Sequence, residues 1–271
     1  MRIGIIQMKT QKDKEENIRV AIEKIDELAK EGCDLISLPE MFNCPYQTDV
    51  FKDYAETQGG ESFTALQEVA RRNQIYLVGG TMPEKCGEEI YNTSYVFDRK
   101  GELIAKHRKM HLFEVQIKGG QHFREADTLS AGNEVTVFDT EFGKIGLCIC
   151  FDLRFIELAR LMVNEGAKMF IVPAAFNLTT GPMHWELMFR GRAVDNQVYA
   201  VGVAPARDMS ASYHSYGNSL VVSPWGEVAE RLGSEEGTIV CEVDLALCDD
   251  VREQLPLLKN RRNDLYDMLK K

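Results

Sequence analysis

The stretch IGLCICFDLRF, residues 145–155, places two thiols one residue apart, Cys148 and Cys150, just ahead of Asp152 and Arg154. A thiolate is a strong nucleophile, and positive charge nearby favours its formation. Cys150 stands where an apolar run gives way to a helix-like pattern, the strand–nucleophile–helix order of a nucleophile elbow. At the start of a helix it would feel the positive end of the helix dipole. In a regular strand both thiols would share one face. Core packing is the competing explanation, because free cysteine is among the most buried residue types. Position favours Cys150 over Cys148 and leaves packing open for both.

A nucleophilic cysteine needs a base. The five histidines stand at 107, 111, 122, 184 and 214. His107 and His111 lie four apart, but the zinc-protease pattern requires Glu after the first His, and here Arg108 follows. No Cys or His set has structural-zinc spacing. His111 or His184 could complete a Cys–His pair. Glu40, in LPEMFN, closes a short apolar run. Partial burial there would raise its pKa towards the range of a general base, whereas a solvated loop carboxylate is the commoner situation for glutamate. Lys109, in AKHRKMHLF, ends another strand-like stretch. Its ammonium would stabilise a developing oxyanion, or simply belong to a solvated basic run.

The elements that would position these groups are legible as periodicity. Strand-like runs occur at 2–7, 34–38, 75–79, 91–98, 135–138, 144–149, 169–172, 198–204, 219–223 and 238–244. Between them, Ile18, Ile22, Ile25 and Leu28 predict an amphipathic helix over 16–30, and Phe63, Leu66 and Val69 predict another over 62–73. Further helices are expected at 153–164 and 184–196. No linker, repeat or composition shift interrupts the series, so the pattern is that of one layered α/β domain. The polar tail 255–271 carries Leu257, Leu258, Tyr266 and Leu269 as apolar anchors.

With 271 residues, 44% of them hydrophobic, the chain can bury a sizeable core without disulfides. A net charge of −10 argues against nucleic acid and against an anionic membrane surface. The N-terminal MRIGIIQMKT lacks the length and cleavage pattern of a signal peptide, and no apolar run approaches a membrane span. Seven scattered cysteines, an odd number, fit a reducing, cytoplasmic compartment.

Taken together, LPEMFN around Glu40, KHRKMHLF around Lys109 and GLCICFDLRF around Cys150 resemble the Glu-Lys-Cys triad of the nitrilase superfamily of carbon–nitrogen hydrolases. The gaps of 69 and 41 residues are the size that family uses, and Glu125 in HFREADTLSAG matches its second glutamate. The likeness runs from IGIIQM to RRNDLY and is strongest to the omega-amidase branch, through YNTSYVFD, AAFNLTTGPMHWELMFRGRAVDNQVY and SPWGEV. Deaminated-glutathione amidases share GP-HWE but differ at Asn177-Leu178-Thr179 and Asp195-Asn196. Two departures are Phe151, where tyrosine is frequent, and Cys148, where a small residue is common.

The resemblance implies a four-layer α-β-β-α sandwich, no metal or organic cofactor, and hydrolysis of an amide through a cysteine thioester. Glu40 would be the base and Cys150 the nucleophile. Lys109 and the Phe151 N–H would form the oxyanion hole, and Glu125 would orient Lys109 or the substrate. The implied substrate class would be a short dicarboxylic monoamide such as 2-oxoglutaramate or 2-oxosuccinamate, whose far carboxylate would need an anion site. Arg154, four residues past Cys150, offers a bidentate fork for it, a structural salt bridge being the alternative. Phe176, Thr179, Thr180 and Tyr46 are expected in the same pocket. A homodimer or higher oligomer is implied too, with the tail packing at its interface. The competing readings are a deaminated-glutathione or other small-amide hydrolase, and a catalytically silent scaffold member.

Overall fold

The computed structural model of the chain describes residues 1–116 and 122–270. In β1 (Arg2–Gln7), Ile3 and Ile5 face one side and Gly4 and Ile6 the other, and all four are buried. That commits the strand to a sheet covered on both faces. Helix α1 (Lys14–Lys30) follows, its N-terminus capped by the Asp13 carboxylate, which accepts the Glu16 N–H at 3.2 Å. Next come β2 (Leu35–Ser37), the single turn α2 (Phe51–Tyr54), α3 (Glu61–Asn73) and β3 (Tyr76–Val78), then the meander β4 (Met82–Cys86), β5 (Glu89–Phe97) and β6 (Leu103–Arg108). A small hairpin, β7 (Glu114–Gln116) with β8 (His122–Arg124), precedes the second half. That half contains β9 (Thr136–Thr140), β10 (Gly143–Leu147), α4 (Ile156–Asn164), β11 (Met169–Pro173), α5 (Gly181–Asn196), β12 (Tyr199–Val203), β13 (Leu220–Val222) and β14 (Val228–Arg231). The chain then forms β15 (Gly237–Glu242) and α6 (Ala246–Gln254).

The strands form two large sheets. One has the order β15-β1-β2-β3-β5-β4 with β6 on the other edge of β5; the second runs β14-β13-β12-β11-β10-β9. Each has a parallel centre, β1-β2-β3 and β10-β11-β12, whose crossovers are the helices. β15 pairs antiparallel with β1 and so ties the end of the second half to the first sheet.

Three apolar layers separate these elements. Ile18, Ile25 and Leu28 of α1 and Leu66 of α3 pack on Ile6, Ile36 and Leu77. Ile3, Ile5, Leu35 and Val78 of the first sheet meet Ile145, Leu147, Ile171 and Val201 of the second. Met162 of α4 and Trp185 and Phe189 of α5 cover the outer face at Phe170, Val172 and Leu220. The result is the four-layer α-β-β-α sandwich.

Several boundaries differ from the periodicity. The helix expected over 153–164 starts only at Ile156, because Cys150–Arg154 form a 3-10 turn first. Strand β10 stops at Leu147, so strand alternation does not fix where Cys148 and Cys150 point. Helix α6 has only Cys248 and Val251 buried, too few apolar positions to announce itself. In the tail, Leu258 packs against the outer core, whereas Leu257, Tyr266 and Leu269 are exposed. Lys271 lies outside the described residues. No helix among the described residues is long and apolar enough to cross a membrane.

Candidate active site

Strand ends from both sheets converge on one point. Glu40 lies three residues past β2, Lys109 directly follows β6, Cys150 lies three past β10, and Ala175 two past β11. The carboxyl ends of parallel strands are where α/β sheets place ligands. The turn at Glu40 is held tightly. Met41 has φ 52°, its N–H donates to Thr81 Oγ1 at 2.9 Å, and the Thr81 N–H donates to Pro39 O at 3.1 Å. Gly80, with φ 59°, sits so close that a Cβ there would lie 2.3 Å from Pro39 O, so no other residue fits beneath this turn.

Glu40, Lys109 and Glu125 are fully buried. Lys109 Nζ donates to Glu40 Oε1 and Glu125 Oε1, both at 2.9 Å, and approaches Tyr46 OH at 3.3 Å. Glu40 Oε1 also accepts Asn92 Nδ2 at 2.8 Å, and its Oε2 accepts the Ala175 N–H at 2.7 Å. Glu125 opens a 3-10 turn and accepts the Phe113 N–H at 2.6 Å and Tyr46 OH at 2.6 Å. Burial would pull the Lys109 pKa down, but the Glu125 and Glu40 carboxylates outweigh it and hold the pKa above the ordinary lysine value. A permanently charged ammonium is an electrostatic group and not a base.

Cys150 is buried, with φ 47°, a left-handed backbone that a non-glycine residue adopts only where its surroundings impose it. Its thiol stands beside the Glu40 carboxylate and is coupled to it electrostatically. Burial, reinforced by the Glu40 charge, pushes the thiol well above its ordinary pKa. The turn that opens at Cys150 is only a five-residue 3-10 segment, and burial outweighs the help expected from a helix N-terminus. Burial likewise raises the Glu40 pKa, against the lowering effect of Lys109. A neutral thiol beside a carboxylate that favours accepting a proton is the arrangement for base-assisted attack. Cys148 belongs to the outer apolar core and makes no bond to this cluster.

His107 and His111 turn to a different carboxylate. His107 Nε2 and His111 Nδ1 bond the two oxygens of buried Asp152 at 3.0 and 2.7 Å, and the Ile149 N–H donates to Asp152 at 3.0 Å. Asp152 thus ties the segment carrying Lys109 to the turn carrying Cys150. Burial would raise its pKa, but the two histidines and the backbone donor hold it well below the usual carboxylate range.

Beside Cys150 lies a pocket lined by Phe113, Phe151, Arg154, Phe176, Thr180 and Tyr213, among others. The Arg154 guanidinium sits 4.8 Å from the Phe176 ring centroid and 5.6 Å from that of Phe151. Among the described residues no carboxylate lies within ion-pair distance of it, and its side chain donates to His184 Nδ1 at 3.2 Å. Burial lowers its pKa. Thr179 is exposed and outside the pocket lining, its N–H turned to Asn177 Oδ1 at 3.1 Å. Tyr46 turns its hydroxyl to Glu125 and stacks on Phe123. Sequence reasoning missed Asn92, Asp152 and Tyr213. Asp152, two residues from Cys150, was within sight of the motif. Tyr213, which donates to Ala175 O and packs on Tyr46, sits in a polar loop that gives no periodic signal.

The geometry agrees with comparison to known proteins. A carbon–nitrogen hydrolase family model matches residues 2–253. The chain belongs to that family, the nitrilase superfamily. It is 47% identical over 267 residues to the omega-amidase NIT2 of Danio rerio, covering 98% of this chain and 96% of that one. To the omega-amidase NIT2 of Bos taurus it is 46% identical over 267 residues, covering 98% and 97%. The crystal structure of Saccharomyces cerevisiae Nit3, a member of branch 10 of the nitrilase superfamily, superposes with a TM-score of 0.89 at 41% identity, covering 97% of this chain and 96% of that one.

Proposed function

We propose that this chain is an amidase of the omega-amidase type, hydrolysing the terminal amide of short dicarboxylic monoamides such as 2-oxoglutaramate and 2-oxosuccinamate to the acid and ammonia. The observation that carries the substrate class is Arg154, a half-buried cation in the Cys150 pocket with no carboxylate partner among the described residues. Leaving such a charge unpaired is costly in the free protein, and a substrate carboxylate would relieve it. The names of the relatives point the same way.

In the proposed mechanism, Glu40 takes the Cys150 thiol proton and the sulfur attacks the amide carbon. The carbonyl electron pair moves to oxygen, where the Lys109 ammonium and the Phe151 N–H stabilise it. Opening amides of a helical turn have no acceptor within the turn, which suits Phe151 to that role. Collapse of the adduct expels ammonia, with the proton returned from Glu40, and leaves a thioester. Glu40 then takes a proton from water as it attacks, and the thiolate departs and is reprotonated. Glu125 keeps Lys109 charged and in place through the 2.9 Å bond. These steps call on no metal or organic cofactor.

We further propose that the chain acts as one domain spanning 1–271 in the cytoplasm, where its seven free thiols would stay reduced. It would work as a homodimer or higher oligomer through the α5 face, with the tail 255–271 at the interface. Exposed Met183, Leu187 and Val194 mark that face.

Ammonia release from 2-oxoglutaramate, 2-oxosuccinamate and deaminated glutathione tests the assignment. The short monoamides should be turned over with kcat/KM at least about tenfold higher, a difference of about 1.4 kcal/mol in transition-state binding. The reverse order would move the chain to the deaminated-glutathione branch.

A further inference from the structure

Arginine carries five N–H donors and no acceptor, so in the Arg154–His184 contact the guanidinium donates and His184 Nδ1 accepts. The His184 proton must then sit on Nε2, and the ring is neutral. This partner is a neutral acceptor. Exposed Arg19 and Arg71 bond carboxylates, whereas Arg192, which like Arg154 is largely withdrawn from solvent, donates to the Leu153 and Arg154 carbonyls. A carboxylate at position 184 would orient Arg154 equally well but would cancel its charge and occupy the face that a substrate needs.

His184 itself is held firmly. Its N–H donates to Thr180 O at 2.8 Å in the first turn of α5. The next residue, Trp185, is fully buried, donates from Nε1 to Asn218 O at 2.7 Å and packs edge-on against Phe176 with centroids 5.1 Å apart. Phe176 in turn lies under the Arg154 guanidinium. Helix α5 therefore supplies the acceptor that sets the guanidinium's rotation and, through Trp185, packs against the loop ring on which the guanidinium rests. His184 is not part of the pocket lining, so it acts through Arg154 and not on the substrate.

We propose that His184 is a positioning residue that sets the preference for acid-bearing amides: it fixes the Arg154 fork through a neutral acceptor and leaves the positive charge whole for the substrate carboxylate. The inference rests on the reading of Arg154 as the carboxylate site. A neutral acceptor fixes the plane of the fork, which bidentate pairing requires, without competing for it.

The test uses the full-length protein and two amides of equal length, succinamate and butyramide, with kcat and KM measured for each. His184→Asp should lower the ratio of kcat/KM for succinamate over butyramide by about tenfold or more, chiefly through a higher KM for succinamate. His184→Asn, whose side-chain oxygen can replace Nδ1 as acceptor, should hold the ratio within about threefold of wild type. His184→Leu, which removes the acceptor without adding charge, should lower the ratio by a smaller factor and serves if the Asp variant does not fold. Butyramide turnover reports that the active centre is intact. Equal losses for both amides in the Asp and Leu variants would overturn the proposal and make His184 structural. Arg154→Met separates the two layers. If it leaves the ratio unchanged, the carboxylate reading of Arg154 fails and this inference with it. If it collapses the ratio while His184→Asp does not, the inference about His184 alone is wrong.

Discussion

At the scale of single residues, the site's logic lies in the sign of two pKa shifts. Burial and the Glu40 charge push the Cys150 thiol up, so it rests protonated. Burial also pushes Glu40 up, so it holds a proton more readily than an ordinary glutamate near 4.3. A protonated Glu40 cannot accept the thiol proton. The acid limb of kcat/KM should therefore fall as pH drops through a value above about 4.3, not at it. Glu40→Gln keeps the size of the side chain and loses the base, and its rate should fall by a factor of about 10²–10⁴. The residual rate should lack that acid limb. A pH–rate profile of both proteins checks this, and an unchanged limb in the Gln variant would assign the titration to another group. The upward direction at Glu40 follows from the apolar run in LPEMFN, but the sequence does not show that Asn92, Ala175 and Lys109 converge on one carboxylate, nor that burial raises Cys150 where a helix N-terminus would lower it.

At the scale of elements, Asp152 joins the two halves of the site. It accepts from His107 and His111, which flank Lys109, and from Ile149, which precedes Cys150. Its lowered pKa means that the folded state favours the carboxylate. That stability is present above the unfolded value near 3.9 and is lost as pH falls through the lower folded value. Asp152→Asn keeps the shape but turns an N–H₂ towards donors. It should cost about 3 kcal/mol of unfolding free energy at pH 7. The gap to wild type should narrow as pH falls below about 4, because wild type then loses the same contribution. Denaturant unfolding at pH 7 and pH 3.5 measures both terms. A pH-independent gap would mean that the charge on Asp152 contributes nothing. The sequence showed where α1, α3 and the central strands lie, because their apolar spacing is dense. It put the helix at 153–164 too early, because the 3-10 turn Cys150–Arg154 is set by Asp152 and not by periodicity. The hairpin β7–β8 and α6 are short or sparsely buried and leave no pattern to read.

At the scale of the whole molecule, three apolar layers account for the sandwich, but one helical face is left exposed by the described residues. Met183, Leu187 and Val194 of α5 stand in a row at steps of four and seven, with Leu187 68% exposed. Gly191, on the same helix, leaves open space beside it, room for a second helix to approach closely. Ile156 on α4 and Trp225 add exposed apolar area. In the tail, Leu265, Tyr266 and Leu269 are exposed as well, as an anchor across an interface would require. A second copy of the chain presenting the same face would cover these side chains symmetrically. Leu187→Glu introduces a charge at the centre of that row. In an isolated chain the change is at an exposed position and should alter unfolding free energy by no more than about 0.5 kcal/mol. Across a dimer it would bury two unpaired carboxylates and should shift the protein to monomer at micromolar concentration. Sedimentation velocity of wild type and variant decides between these. A wild-type protein that sediments as a monomer, or a Leu187→Glu protein that stays associated, would move the interface off the α5 face.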